Sequence, residues 1–313
     1  MCPLPEALLE RLKNRQAILV TGLGCSALAD LPAWPALVEQ LADRIPDDER
    51  KQEVRELLHA RHVTTALALC RELVSQEAIV EVLQEVYPVA AQVPESLRAI
   101  AKAPWRGIIA TGQDAIWTTA LAGEADLAER VVFAANVPVL HQGRGRFLVQ
   151  LFGRADVPAS LCLAPREIGP ALVATGAVDY LETLHKKWSF VFLGFAPDDP
   201  DLDLLAGRIL ARSPSMLEHF FVAPALTDLN ARRIRAEFGL VPVAMEGGLE
   251  DVCATLTQAC NLAGEKPAVD DGKFRRDVVL MRNSSYREYR SGSIRTIIQW
   301  GIQRNGQFLG SRQ

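Results

Sequence analysis

The sequence predicts an α/β fold: a parallel sheet covered by helices on both faces, with a helical module inserted early in the chain. Three observations carry this. Short apolar runs rich in β-branched and aromatic residues alternate with amphipathic segments through the second half. A glycine-rich turn, Gly22-Leu23-Gly24-Cys25-Ser26, follows the first apolar run directly. Between about 36 and 103 there is only helical spacing and no strand.

The elements follow in order. Pro5 to Lys13 places Leu8, Leu9 and Leu12 on one side of a helix, and Ala17 to Thr21 (AILVT) reads as a buried strand. Residues 35–46 resume helical spacing with Leu37, Val38, Leu41 and Ile45. Helices are expected over Asp47–Leu58, Val63–Leu73, Gln76–Val86 and Ser96–Ala103, with Pro88 and Pro94 as breaks. Strands are then expected at Gly107–Thr111, Arg130–Phe133, Phe147–Leu151, Ser189–Leu193, Phe220–Ala223 and Val241–Ala244. Between them, helices are expected at 114–121, 166–187, 201–211, 228–238 and 248–263. This gives a first domain over 1–264, a linker GEKPAVDDG, and a basic tail within 265–313.

Composition limits the function classes. The chain has 313 residues, 49% hydrophobic and 23% charged, normal for a protein with a real core. No apolar run is long enough to span a bilayer, and the N-terminus lacks a secretory pattern, so no membrane partner is expected. Six scattered cysteines without CxxC spacing point to reduced thiols and a cytoplasmic location. Residues 273–313 carry nine Lys/Arg against two Asp/Glu, a balance of +7. With −4 overall, residues 1–272 sum to −11. An acidic body argues against general nucleic-acid binding, which is left only to the basic tail.

The glycine turn has a physical use. Glycine lets the backbone turn tightly and approach a pyrophosphate, and a helix N-terminus offers free N–H groups. With Ala27 the run fits G-x-G-x-x-A, and Ser26 adds a hydroxyl. The competing reading is a tight strand–helix turn with no ligand. A dehydrogenase-type unit fits poorly, because the place of its second strand is taken by the polar segment DRIPDDERKQEV.

Five segments in order resemble the SIR2-like proteins of bacteria, relatives of sirtuins that include NAD-hydrolysing defence effectors. VTGLGCSALADLPAW (20–34) is similar to the family's GAGxS loop with a GLPSW-type run. PWRGIIATGQDAIWTTAL (104–121) resembles its TTNYD strand and helix. FLVQLFGRADVPASLCLAPREI (147–168) resembles the segment around LHG. FVFLGFAPDDPDLDLLAGRIL (190–210) resembles FLGYS-x-x-DPDL, and HFFVAPALTDLNARRIRAEFGLVPV (219–243) resembles the closing αβ unit.

The resemblance implies a Rossmann-like domain with a helical insertion and an NAD or ADP-ribose site between them. The implied ligand-binding residues are Thr21, Gly22, Gly24, Cys25, Ser26, Trp34, Thr111, Asp114, Gly194 and Phe195. Two positions depart from the family. Its catalytic Asn falls on Gly112 and its catalytic His on Phe152. Neither replacement can handle a proton or position a hydroxyl. The expectation is therefore a binding domain with little or no catalysis: a sensor, a regulatory half of an oligomer, or an assembly module. Its partners would be further copies or another defence protein. One alternative is an active NAD hydrolase using His141, in the Gly-rich run LHQGRGR, or Gln113 beside Gly112. Another is an interaction scaffold that binds no ligand.

Other candidates have plainer readings. His59 and His62 have metal-ligand spacing but no further ligands to complete a site. Cys253 and Cys260 share a helix face, too far apart for a disulfide. Cys25 at a helix N-terminus would have a lowered pKa, although packing is the simpler role. Asp198, Asp199, Asp201 and Asp203 read as an acidic helix start. Trp34, Trp105 and Trp117 read as core or junction aromatics.

Overall fold

A computed structural model describes residues 4–89, 91–122, 127–132, 146–163, 165–212, 215–262, 302–304 and 307–309. The chain divides into two units, Met1–Ala268 and Val269–Gln313. In the first, seven strands form one sheet: β1 (Ala17–Thr21), β2 (Gly107–Ala110), β3 (Leu127–Val132), β4 (Arg146–Gln150), β5 (Ser189–Leu193), β6 (Phe220–Pro224) and β7 (Val241–Met245). All neighbours are parallel, in the order β3-β4-β2-β1-β5-β6-β7. β1 is central and buried along its whole length. A parallel strand covered on both faces must be apolar throughout, which is why AILVT carries no alternation.

The two faces separate with the period-2 rule. Leu19, Ile108, Leu148, Val191, Phe220, Val222 and Val243 share one core cluster. It is closed by Leu8 and Leu12 of α1 (Glu6–Lys13), Leu97 and Ile100 of α6 (Glu95–Lys102), and Val252 and Leu256 of the C-terminal helix Leu249–Asn261. The intervening residues Ile18, Val20, Ile109, Val149, Phe190, Phe192 and Phe221 are equally buried on the other face.

Between β1 and β2 the chain builds α2 (Trp34–Ala42), α3 (Asp48–His59), α4 (Val63–Leu73) and α5 (Gln76–Val86), then α6. Their apolar stripes form a second core from Trp34, Leu37, Leu41, Val54, Leu67, Ile79, Leu83 and Tyr87. Side-chain oxygens of Asp47 and Ser75 cap α3 and α5. Leu23 of the glycine turn, Ala155 and Leu163 belong to this second core, so the helical module is packed onto the end of the sheet that carries the turn.

Several boundaries differ from expectation. The helix expected over 166–187 is two, α8 (Pro165–Ala174) and α9 (Ala177–Lys187), because Gly176 adopts φ +70°. The helix expected at 201–211 begins at Pro200–Leu202, continues as a π-helix over Asp203–Ile209, and ends in a 3₁₀ turn. α7 (Ile116–Ala120) is shorter than expected, and the third strand starts earlier, at Leu127. α10 (Asp228–Phe238) and α11 (Leu249–Asn261) complete the unit. In the second unit Ile302–Arg304 and Gln307–Leu309 pair as antiparallel strands. The expected linker and most of the basic tail lie outside the described residues. Among the described residues, no helix is long and apolar enough to cross a membrane.

Candidate functional site

The sheet order reverses beside β1. The chain leaves β1 toward β2 on one side and later returns to β5 on the other. In an open α/β sheet, the carboxyl ends of two such strands are where a ligand crevice forms. Gly22–Ser26 follows β1 and Gly194–Phe195 follows β5, so both segments lie at this point.

They are packed closely. The Gly22 amide donates to the Leu193 carbonyl (2.9 Å) and the Gly24 amide to the Gly194 carbonyl (2.8 Å). A Cβ on Gly22 would lie 2.6 Å from the Gly194 oxygen and 2.7 Å from the Phe195 ring, and one on Gly24 would lie 2.5 Å from the same oxygen. Both glycines are therefore required by backbone approach. Any side chain at position 24 would be driven into the β5 loop, so a carboxylate there would disturb the turn itself before it met a phosphate.

The turn does not open a helix. It leads into a four-residue 3₁₀ turn, Ser26–Ala29, ended by Asp30 at φ +56°. The expected helix dipole is thus absent from this position, since one short turn sums too few peptide units. Ala27, which completes the G-x-G-x-x-A pattern, is exposed and does not pack between helix and strand. The Cys25 and Ser26 amides are used within the turn, on Gly22 and Leu23 carbonyls. Among the described residues the Leu23 and Ala27 amides take no such partner.

Ser26 and Asp114 are joined. The Ser26 hydroxyl donates to Asp114 Oδ2 at 2.6 Å, and the Ile116 amide donates to Asp114 Oδ1 at 2.8 Å. Burial raises the Asp114 pKa, and these two bonds oppose that rise. The Gln150 side chain donates to the Asp114 carbonyl (2.7 Å), while Thr118 donates to Gln150 and Arg154 donates to Thr118, both at 3.1 Å. Gln150 gave no signal in the sequence because it ends a strand as an ordinary polar residue.

The acidic run near 198–203 does begin a helix, as expected, but two of its carboxylates are buried. Asp201 is a buried acceptor for the Trp34 indole N–H (3.2 Å), which ties the helical module to the β5 loop. Asp199 caps the following turn by accepting from the Asp201 amide (2.9 Å). Both carboxyls are raised first by burial; the neighbouring Asp198 adds to the rise at Asp199, and Asp199 adds to the rise at Asp201, while their hydrogen bonds oppose it. An exposed acid favoured by a helix dipole would behave in the opposite way.

The remaining sequence candidates are placed as follows. Thr111 is buried, and its hydroxyl donates to the Thr21 carbonyl (3.3 Å). A Cβ on Gly112 would lie 2.7 Å from Asp114 Oδ2 and 3.0 Å from Leu23, so a larger residue there would displace the Ser26–Asp114 pair. Phe152 is fully buried. Gln113 is also fully buried, with its carbonyl accepting from Ala155. His141 lies outside the described residues. Cys25 is buried with its thiol against the Leu193 carbonyl. Its pKa is raised by burial, then by Cys253 and Asp114, which is opposite to the lowering expected at a helix N-terminus. Cys253 and Cys260 are buried, unpaired thiols raised to about 12, consistent with packing. His59 and His62 are exposed, and no cluster of three metal-ligating side chains occurs among the described residues. Trp105 and Trp117 lie in the sheet core.

No family model and no curated protein matches the chain. Among solved structures, two that are similar to it are Sir2 structures. One is a triple mutant of a Sir2 homologue in complex with 2'-O-acetyl ADP ribose: 14% identity, TM-score 0.42, covering 84% of this chain and 99% of that one. The other was reported for the mechanism and regulation of Sir2 enzymes: 12% identity, TM-score 0.43, covering 82% and 97%. The strand pairing itself makes the chain an α/β protein with a parallel sheet flanked by helices; its similarity to the Sir2 structures is at low identity.

Proposed function

We propose that this chain binds NAD or ADP-ribose at the carboxyl ends of β1, β2 and β5, with little or no hydrolysis, and serves as a sensor, regulatory or assembly module. The observation that carries the reading is the glycine turn seated at the strand-order reversal, with Gly22 and Gly24 closed on Gly194. The Ala27 amide, on an exposed residue of the turn, is then the donor left for a phosphate oxygen. Chemistry is disfavoured by what surrounds the turn. Gly112 has no functional group and no room for one, and Phe152 cannot transfer a proton. Gln113 is an amide, which cannot serve as a general base near neutral pH.

Calorimetry with NAD and with ADP-ribose tests binding, and a fluorogenic NAD analogue tests turnover. Saturable heat without turnover is expected. The informative variant is Ala27→Glu, because Ala27 is exposed and the change leaves Gly22 and Gly24 untouched. A carboxylate beside the phosphates should weaken binding about tenfold or more, given roughly 4 kcal/mol between unit charges at 4 Å near a protein surface. Unchanged affinity in this variant would place the ligand elsewhere. Turnover lost on His141→Ala would instead establish a hydrolase, and absence of both heat and turnover would leave a scaffold.

A further inference from the structure

Two carboxyls are buried close together where the helical module meets the sheet. Asp199 and Asp201, in the turn after β5, keep only 8% and 2% of their surface exposed. Asp201 accepts the indole N–H of Trp34, the first residue of α2, and Asp199 accepts the Asp201 amide. A buried charge needs a partner of opposite sign, or the group gives up its charge. The cations of this region are engaged by more exposed acids. Arg61, on the turn between α3 and α4, lies 3.8 Å from Asp198, and Arg208 pairs with Asp203 at 2.8 Å. Among the described residues no ion pair is made by Asp199 or Asp201. The other titratable groups near this junction, Tyr87 at the end of α5 and Asp114 on the loop after β2, are acids and bring no positive charge.

Two carboxyls in such a place cannot both ionise without large cost while they stay buried. The hydrogen bonds that Asp201 accepts favour its ionised form, but burial outweighs them. We propose that Asp199 and Asp201 form a pH-sensitive latch: protonated, they hold the amino end of α2 against the β5 loop, and their ionisation releases it. The latch works with or without a nucleotide and does not depend on the binding reading above. Burial raises Asp199 from 3.8 to about 7, and Asp201 is raised well above its ordinary value. Both values lie above those of solvated carboxyls. The docked junction is therefore favoured at low pH and is lost as the pH rises through them.

The test reads the Trp34 indole N–H by NMR, assigned by its disappearance in Trp34→Phe. Its exchange with solvent is measured at pH 6 and pH 8.5, each relative to the intrinsic rate at that pH. Exchange from the opened junction should rise about tenfold or more, because each carboxyl that ionises only when open contributes up to about tenfold per pH unit below its docked value. The Trp105 indole, which donates to the Ile100 carbonyl at 2.8 Å in the sheet core, is the internal control and should keep its protection. Asp201→Asn keeps an acceptor for Trp34 and cannot ionise, so its Trp34 protection should vary with pH less than in the wild type by about tenfold or more. Three results overturn the proposal: no change at Trp34 in the wild type, an equal loss at Trp105, or an undiminished loss at Trp34 in Asp201→Asn. If Asp201→Asn fails to fold, Asp199→Asn is read in its place: the pH dependence should shrink, and an unaltered one overturns the proposal.

Discussion

Acidification should unfold this protein through one histidine pair at the amino ends of the strands, opposite the glycine turn. His219 precedes β6 and is buried. Its Nδ1 accepts the Phe190 amide of β5 at 3.0 Å, replacing a sheet hydrogen bond at the start of that pairing. The His185 ring stacks on it, with centroids 3.9 Å apart. Burial, then His185 and Arg11, lower the His219 pKa to about 3 from the ordinary 6.5. Protonation would turn the acceptor into a donor facing another donor and put a charge beside Arg11.

The sign follows from the depressed value. Between pH 6.5 and 3 the unfolded chain takes up a proton that the folded chain refuses, so stability is full above about 6.5 and falls as the pH drops. With those two pKa values the loss is about 1 kcal/mol by pH 5.5 and about 3 kcal/mol by pH 4.5. The buried carboxyls Asp114, Asp199 and Asp201 shift the other way, so the wild-type curve alone is ambiguous. His219→Asn keeps an acceptor near the Nδ1 position and does not titrate. Urea unfolding of both proteins at pH 8, 5.5 and 4.5 isolates the histidine. The wild type should lose about 3 kcal/mol more than the variant by pH 4.5, and parallel curves would refute the argument.

Two further changes probe the contacts that hold the helical module to the sheet. Trp34→Phe removes the indole donor to Asp201 while keeping an aromatic ring in the module core, and should cost about 1–3 kcal/mol in urea unfolding. Asp201→Asn keeps an acceptor for that indole and removes a buried ionisable group. Carboxyls raised in the fold lose stability as the pH rises through their folded pKa, so this variant should exceed the wild type at pH 8 and match it near pH 4, read from urea midpoints at the two values.

Much of this fold was written locally. AILVT, SFVFL and FFVA are too short and too apolar for anything but doubly covered strands, and their bounds matched closely. The repeated 3–4 spacing through 36–103, with no strand-like run among its helices, likewise announced a helical module, because amphipathic period reports which face is buried. Gly22 and Gly24 were marked as a tight turn by their lack of a side chain. What the sequence could not supply was the partner each residue meets across the chain. Ser26 finds Asp114 at a separation of 88 residues and Trp34 finds Asp201 at 167, distances over which periodicity carries no information. The same holds for the turn after Ser26, where an expected helix start gave way to a 3₁₀ turn, and for Asp201, which the acidic helix start carries into the interior to meet Trp34. Local pattern decides which backbone shape forms and which face it hides. Only tertiary contact decides whether a polar side chain is answered, and Gln113, polar and buried without a partner, shows that difference most plainly.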